Sequence, residues 1–324
     1  MHPLKGKIAV VAGATRGTGR GIARMLGEAG ATVYCTGRSV RGDLASGPNR
    51  PETIEETAEM VTAHGGVGIS VQVDHSVPAQ VEKLFERVAA EQKRLDILVN
   101  DIWGGDEFTD LGTPFWKLSL ENGFQMLERA VHTHIITSRY GVPLMLETGS
   151  GLIVEITDGA VYNYRGHLFY DLVKMSVIRL AFAMATELRH RKIAAVAVTP
   201  GFIRSEAMLD RYGVTEENWQ TVAAQKHPMF PGSESPCFVG RAIARLASDP
   251  NVFKKSGRVY GSWELAEEYG FTDVDGRSPR LAEASQAFFK EKYGADFVSK
   301  KLDDTFYEYL TTNPLLDVMY PDWP

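Results

Sequence analysis

Tyr170 and Lys174 lie four residues apart at the start of a helical run, which puts both side chains on one helix face. A tyrosine phenol ionises near pH ~10, so at neutral pH it is a poor partner in proton transfer; a lysine ammonium beside it favours the phenolate and lowers that value. The pair therefore has the makings of an acid/base. A second stretch has the makings of an anion site. In Ala12-Gly13-Ala14-Thr15-Arg16-Gly17-Thr18-Gly19-Arg20-Gly21 the glycines fall between a branched apolar run, Ile8-Ala9-Val10-Val11, and a helical pattern that stops at Gly30. Where a strand turns into a helix, free backbone N–H groups at the positive helix end can receive a phosphate, and small residues let a pyrophosphate approach the backbone.

The next strand, Val33-Tyr34-Cys35-Thr36, leads into Gly37-Arg38, about 20 residues beyond the glycines, where a dinucleotide site reads the adenosine ribose. A free ribose wants an acid to accept its hydroxyl bonds, whereas a 2′-phosphate wants a guanidinium fork. Arg38, with Arg16 in the glycine loop, is therefore expected to select NADP(H) over NAD(H).

Gly13-x-x-x-Gly17-x-Gly19, Asp74, Asn100, Tyr170-x-x-x-Lys174 and Pro200-Gly201 occur in the order and spacing of the short-chain dehydrogenase/reductase family, which the chain resembles over residues 5–275. The run from Ser256-Gly257-Arg258-Val259 to Asp273-Val274-Asp275-Gly276-Arg277 resembles a branch with a C-terminal extension. The resemblance implies that Tyr170 is the acid/base and that Lys174 also holds the nicotinamide ribose. It implies cofactor contacts from Gly13, Thr15, Arg16, Gly17, Thr18 and Gly19, adenine contacts from Asp74, and support around the cofactor from Asn100. The backbone of Pro200, Gly201 and Ile203 would receive the nicotinamide carboxamide, and Ser205 stands where a phosphate-contacting threonine is usual.

Three departures from the family pattern bear on the chemistry. The fifth strand runs Glu155-Ile156-Thr157-Asp158-Gly159, where the family carries a serine that holds the substrate oxygen. Alignment on the strand puts Asp158 at that position; counting back from Tyr170 favours Thr157, and Asp158 is preferred. The helix asparagine of the family's proton relay falls on Ala130, with His132 and His134 close by as substitutes. The usual Asn-Asn-Ala-Gly reads Asn100-Asp101-Ile102-Trp103. An anionic Asp158 would oppose both a Tyr170 phenolate and the alkoxide of carbonyl reduction. Either the carboxyl is protonated by burial and donates a hydrogen bond, or the substrate is cationic, such as an iminium, or redox chemistry has been lost.

The elements that must position these residues alternate along the chain, which predicts an α/β fold: a doubly wound parallel sheet of Rossmann type. One domain is expected over 1–278 and a C-terminal extension without its own core over 279–324. The strands end at Asp74, Asn100, Thr157 and Thr199, the sheet edge where such folds bind ligands. A helical pattern over Leu120–Glu147 contains Pro143, expected to kink or divide it. Residues 204–235, with Pro228, Pro231 and Gly232, read as a mobile lid over the substrate.

The 324 residues carry a net charge of −6 with 44% hydrophobic and 23% charged residues, an ordinary globular composition that argues against nucleic acid. Two cysteines, Cys35 and Cys237, lie far apart without ligand companions, so neither a disulfide framework nor a metal site is expected. No apolar run reaches the roughly 18 residues of a membrane span, and no signal-peptide pattern opens the chain, so a cytoplasmic location is expected. The long helices resemble the family's dimer-forming elements and imply a homodimer or homotetramer. The function expected is an NADP(H)-dependent oxidoreductase interconverting a carbonyl and an alcohol, or reducing an imine, on a small-molecule substrate. The alternative is a non-redox NADP-binding regulatory protein, or an isomerase or dehydratase on the same scaffold; retention of both Tyr170 and Lys174 favours the enzyme.

Overall fold

Apolar branched runs become buried strands. Ile8–Ala12 (β1) is buried along its whole length, as are most of Thr32–Gly37 (β2), Ile97–Asn100 (β4), Gly151–Ile156 (β5) and Ile193–Thr199 (β6). Continuous apolar character is what strands covered on both faces require. Val67–Gln72 (β3) is less buried and lies at one sheet edge; Val259–Gly261 (β7) lies at the other. In this computed structural model, which describes residues 2–44, 50–160, 164–222 and 229–281 together with 283 and 290, the seven strands follow the order β3-β2-β1-β4-β5-β6-β7. The pairings β1–β2, β2–β3, β4–β5 and β5–β6 are parallel. This is the Rossmann-type α/β class that the alternating pattern predicts. The extension over 279–324 lies, beyond 281 and apart from 283 and 290, outside the described residues.

The chain gathers into two compact units. The first comprises Met1–Asp74, Thr199–Asp249 and Gly261–Ser299. Its helices are Gly17–Glu28 (α1) and Ile54–Ala63 (α2), capped by Thr53, whose side chain accepts the Glu56 N–H. The glycine-loop backbone is folded onto β2: the Gly13 and Ala14 N–H groups both donate to the Thr36 carbonyl, at 3.0 and 2.9 Å.

The second unit comprises His75–Val198, Pro250–Tyr260 and Lys300–Pro324. It carries Pro78–Gln92 (α3), Leu120–Leu127 (α4), Thr133–Thr148 (α5) and Leu168–Glu187 (α6). Pro143 does not divide the long helical stretch in two. It sits exposed inside α5, while Gly141, Leu144 and Met145 on the same helix are buried and hold it in place. The break falls earlier, at a π-helical turn over Glu128–His132; such widened turns gather at functional sites.

Back in the first unit, the stretch read as a lid has a core of its own. Glu206–Tyr212 (α7) and Trp219–Val222 (α8) frame a buried cluster of Val214, Trp219 and Phe230, against which Phe202, Leu209 and Tyr212 pack. Residues 223–228, Pro228 among them, lie outside the described residues. The fully buried Arg204 ties this stretch to the Asp273–Arg277 motif: it donates to the Ser233 carbonyl at 2.8 Å and meets Glu216 at 3.2 Å, Asp275 at 3.4 Å and Asp273 at 3.8 Å. The guanidinium of Arg204 lies 4.1 Å from the Trp219 ring centre and that of Arg277 lies 4.4 Å from it. Pro236–Ser248 (α9) crosses α1 at Gly21 and Gly240, where a Cβ on Gly240 would come within 2.6 Å of the Gly21 carbonyl. Ser262–Tyr269 (α10) packs on α9.

Candidate active site

In the second unit, β5 delivers Thr157 and Asp158 beside the first turn of α6, which His167 caps by accepting the Tyr170 N–H at 3.2 Å. The Tyr170 hydroxyl donates to Asp158 Oδ2 at 2.6 Å. Thr157 points its hydroxyl elsewhere, donating to the Lys174 backbone carbonyl at 2.8 Å. Of the two candidates for the serine position, it is therefore Asp158 that touches the phenol, while Thr157 ties β5 to α6. One turn beyond Tyr170, the Lys174 ammonium lies 4.4 Å from the Trp103 ring centre and 5.4 Å from that of Tyr170. Trp103 meets Tyr170 edge-on at 5.4 Å and donates its indole N–H to Asp106 at 2.6 Å. The bulk that stands in place of the small residues of the Asn-Asn-Ala-Gly pattern thus forms an aromatic wall against Tyr170 and Lys174.

The electrostatics at Tyr170 follow the opposition expected of Asp158 and not the help expected of Lys174. Its ionisation is pushed well above the usual tyrosine range, first by burial, then by the charge of Asp158 and the hydrogen bond to it. Arg165 offsets part of this. Lys174 is itself lowered by burial, against the pull of Asp158, Asp101 and Asp106. Tyr170 is accordingly held as a phenol, not as the phenolate that a neighbouring lysine alone would favour.

Arg165 carries no spacing signal in the sequence, yet it fixes the strand end. Its Nε donates to the Asp158 carbonyl at 2.5 Å, one Nη donates to the Gly159 carbonyl at 3.2 Å, and the other meets Asp171 of α6 at 2.8 Å. Behind this lies a buried polar network. Asn100 donates to Ser138 at 2.9 Å and to Glu155 Oε1 at 2.6 Å; Glu155 Oε2 meets His134 Nδ1 at 2.6 Å, and His134 Nε2 reaches the Ile102 carbonyl at 3.1 Å. Both His134 nitrogens are thus engaged within the unit, His132 is exposed, and Ala130 is buried in the π-helical turn. None of the three is seen at the Tyr170 hydroxyl.

The first unit holds the glycine loop, Arg38, Asp74 and the 200–205 stretch, which the sequence assigns to a dinucleotide; Asn100, Tyr170 and Lys174 lie in the second. Gly17 has φ +53°, a conformation that favours glycine. Its N–H is not free, as expected from the sequence, but donates to Glu206 Oε2 at 2.8 Å. Arg16 lies 3.5 Å from Glu52, which Arg50 also meets at 2.9 Å. Arg38 at the end of β2 is exposed, and its guanidinium has no partner among the described residues. Only one of the two arginines expected to fork a 2′-phosphate is therefore uncommitted. Thr15 packs against Gly37, Thr18 is half-buried, Gly19 is buried in α1, and Asp74 follows β3. Past Pro200, a Cβ on Gly201 would lie 2.8 Å from Glu234 Oε2, Ile203 pairs with Glu234 in an isolated bridge, and Ser205 caps α7 by accepting the Met208 N–H. An α1 N-terminus that takes a carboxylate and an exposed, uncommitted Arg38 fit an anionic dinucleotide.

Among known proteins, the family model for enoyl-(acyl carrier protein) reductases matches residues 13–255. Dehydrogenase/reductase SDR family member 1 of Mus musculus is 34% identical over 280 residues, covering 86% of each chain, and its Homo sapiens counterpart is 35% identical over 279 residues, covering 85% of each. A short-chain dehydrogenase from Mycobacterium thermoresistibile shares the fold with a TM-score of 0.71 at 20% identity, over 86% of this chain and 92% of that one. A Serratia marcescens short-chain dehydrogenase/reductase does so with a TM-score of 0.64 at 25% identity, over 80% and 97%. The chain belongs to the short-chain dehydrogenase/reductase family, whose members are oxidoreductases that bind a nicotinamide cofactor.

Proposed function

We propose that the protein is an NADPH-dependent reductase of a small organic carbonyl compound. One observation carries this reading: the Tyr170 hydroxyl donates to Asp158 Oδ2 at 2.6 Å in the first turn of α6, one turn before Lys174. Reduction draws on the phenol as acid and the reverse oxidation on the phenolate as base, and both pass through this one hydroxyl. When bound, the cofactor supplies a hydride to the carbonyl carbon. Tyr170 gives its proton to the carbonyl oxygen and recovers one from solvent, so that ketone, hydride and proton become alcohol. Lys174 and Trp103 orient the phenol, and Arg165 holds the strand end that carries Asp158. Selection of the 2′-phosphate rests on Arg38.

The Asp158 contact supports a second reading. A carboxylate where the family places a hydroxyl disfavours an alkoxide and favours a cation, so an iminium is a substrate that this position would stabilise. Reduction then needs only the hydride, and the nitrogen loses its charge. An NADPH-oxidation assay over matched ketones and cyclic imines decides between the two. Turnover of neither, with NADPH still bound, would leave the non-redox reading. We also propose that the chain assembles as a homodimer or homotetramer through the faces of α5 and α6 that expose Ile135 and Leu172; a monomeric mass by light scattering would overturn this. Among the described residues, no helix is long and apolar enough to cross a membrane.

A further inference from the structure

α1 begins without local help. Its N-cap, Arg16, makes no side-chain capping bond, and its first turn contains no acid. The positive helix end is met instead from far along the chain, by Glu206, the first residue of α7. Glu206 Oε2 accepts the Gly17 N–H at 2.8 Å, and Oε1 lies 3.9 Å from Arg20 Nε. A carboxylate there satisfies an otherwise orphaned donor and complements the helix dipole, which is what a phosphate oxygen does at such a site. The approach is close: a Cβ on Gly17 would lie 3.6 Å from that of Ser205.

Glu206 is also poised to leave. Its side chain is 32% exposed, and Arg20 retains a second partner, Glu56, at 2.6 Å. α7 is no free strand of chain, however. Leu209 and Tyr212 pack on the Val214–Trp219–Phe230 cluster, and Asp210 meets Arg50 at 3.0 Å. Displacement of Glu206 therefore acts on an element with a core behind it.

We propose that Glu206 is a carboxylate latch on the glycine loop: it holds the Gly17 N–H until the pyrophosphate of a dinucleotide takes that donor, so that cofactor entry is coupled to release of α7. The proposal rests on reading the loop as a nicotinamide-dinucleotide site. Glu206 is a positioning residue, acting through the loop and not on the reacting atoms. Its charge competes with the ligand's, so removing the charge should tighten binding.

The test is calorimetric titration of NADPH into the wild type, Glu206→Gln and Glu206→Ala, with hydrogen exchange at the Gly17 amide followed before addition. Both variants are expected to bind NADPH about two- to fivefold more tightly than the wild type, the size of a carboxylate's interaction with a helix end. In Glu206→Ala the Gly17 amide should exchange faster before NADPH is added and regain protection once it binds. Glu206→Gln keeps the side-chain shape and serves if the alanine variant fails to fold. Wild-type binding with no tightening in the variants overturns the latch alone. Failure of the wild type to bind either NADPH or NADH overturns the dinucleotide reading and the latch with it.

Discussion

The two units use carboxylates to opposite effect. In the first, Glu52, Glu56 and Glu206 each face an arginine or an unpaired backbone N–H, so each charge compensates another. In the second, Asp158 faces the Tyr170 hydroxyl and makes ionisation of that phenol harder. A carboxylate beside a cation or helix end stabilises what is already there; beside an acid it decides which protonation state the acid keeps. The first unit thus balances its carboxylates against cations and a helix end, whereas the second sets one against an acid.

Tyr170→Phe breaks the comparison hardest. It removes the proton donor but no residue of the first unit, so reduction should fall by about 10²–10⁴-fold while NADPH binding stays within a factor of about two. Steady-state kinetics paired with calorimetry read both. Parallel loss of binding would mean that the units do not divide the work as described.

Glu234 sharpens the contrast within the first unit. It is buried, accepts from Ser262 at 2.6 Å, and lacks a partner on Oε1; burial pushes its carboxyl up to about 8. Asp273 raises it further, and Arg204 and the Ser262 bond oppose. Between the unfolded value near ~4.5 and about 8, the folded chain keeps a proton that the unfolded chain has released. Stability is therefore fully present below that window and falls as pH rises through it, by up to about 1.4 kcal/mol per pH unit. Glu234→Gln should flatten this fall in urea unfolding between those limits. An unchanged slope would show that Glu234 does not carry it.

The smallest effect is expected at Arg38. Arg38→Asp should remove a preference for NADPH over NADH of about tenfold, roughly 1.4 kcal/mol. Equal affinities in the wild type would contradict the role assigned to this arginine.

The sequence made the fold legible because buried parallel strands are nearly continuous apolar runs: β1, β4, β5 and β6 fall within a residue or so of where the pattern puts them. The pair at 170 and 174 was legible because helix geometry fixes a four-residue spacing. The choice between Thr157 and Asp158 was not, because one residue at a strand end turns the side chain to the other face; the hydroxyl of Thr157 on the Lys174 carbonyl shows which way each points. Pro143 does not end its helix, because tertiary packing outweighs one missing N–H, and the break in the helical stretch sits in residues without any breaker. Arg165, Glu206 and Glu234 act across long sequence separations, with partners that no local pattern names.

The central claim is that Asp158 and burial keep Tyr170 a phenol. Ultraviolet difference titration of the wild type against Tyr170→Phe isolates the ionisation of this one tyrosine, and repeating it in Asp158→Asn tests the cause. Tyr170 should ionise above the usual tyrosine value of about 10 in the wild type and at lower pH in Asp158→Asn. Ionisation near neutral pH in the wild type, or an identical curve in both, would contradict the account.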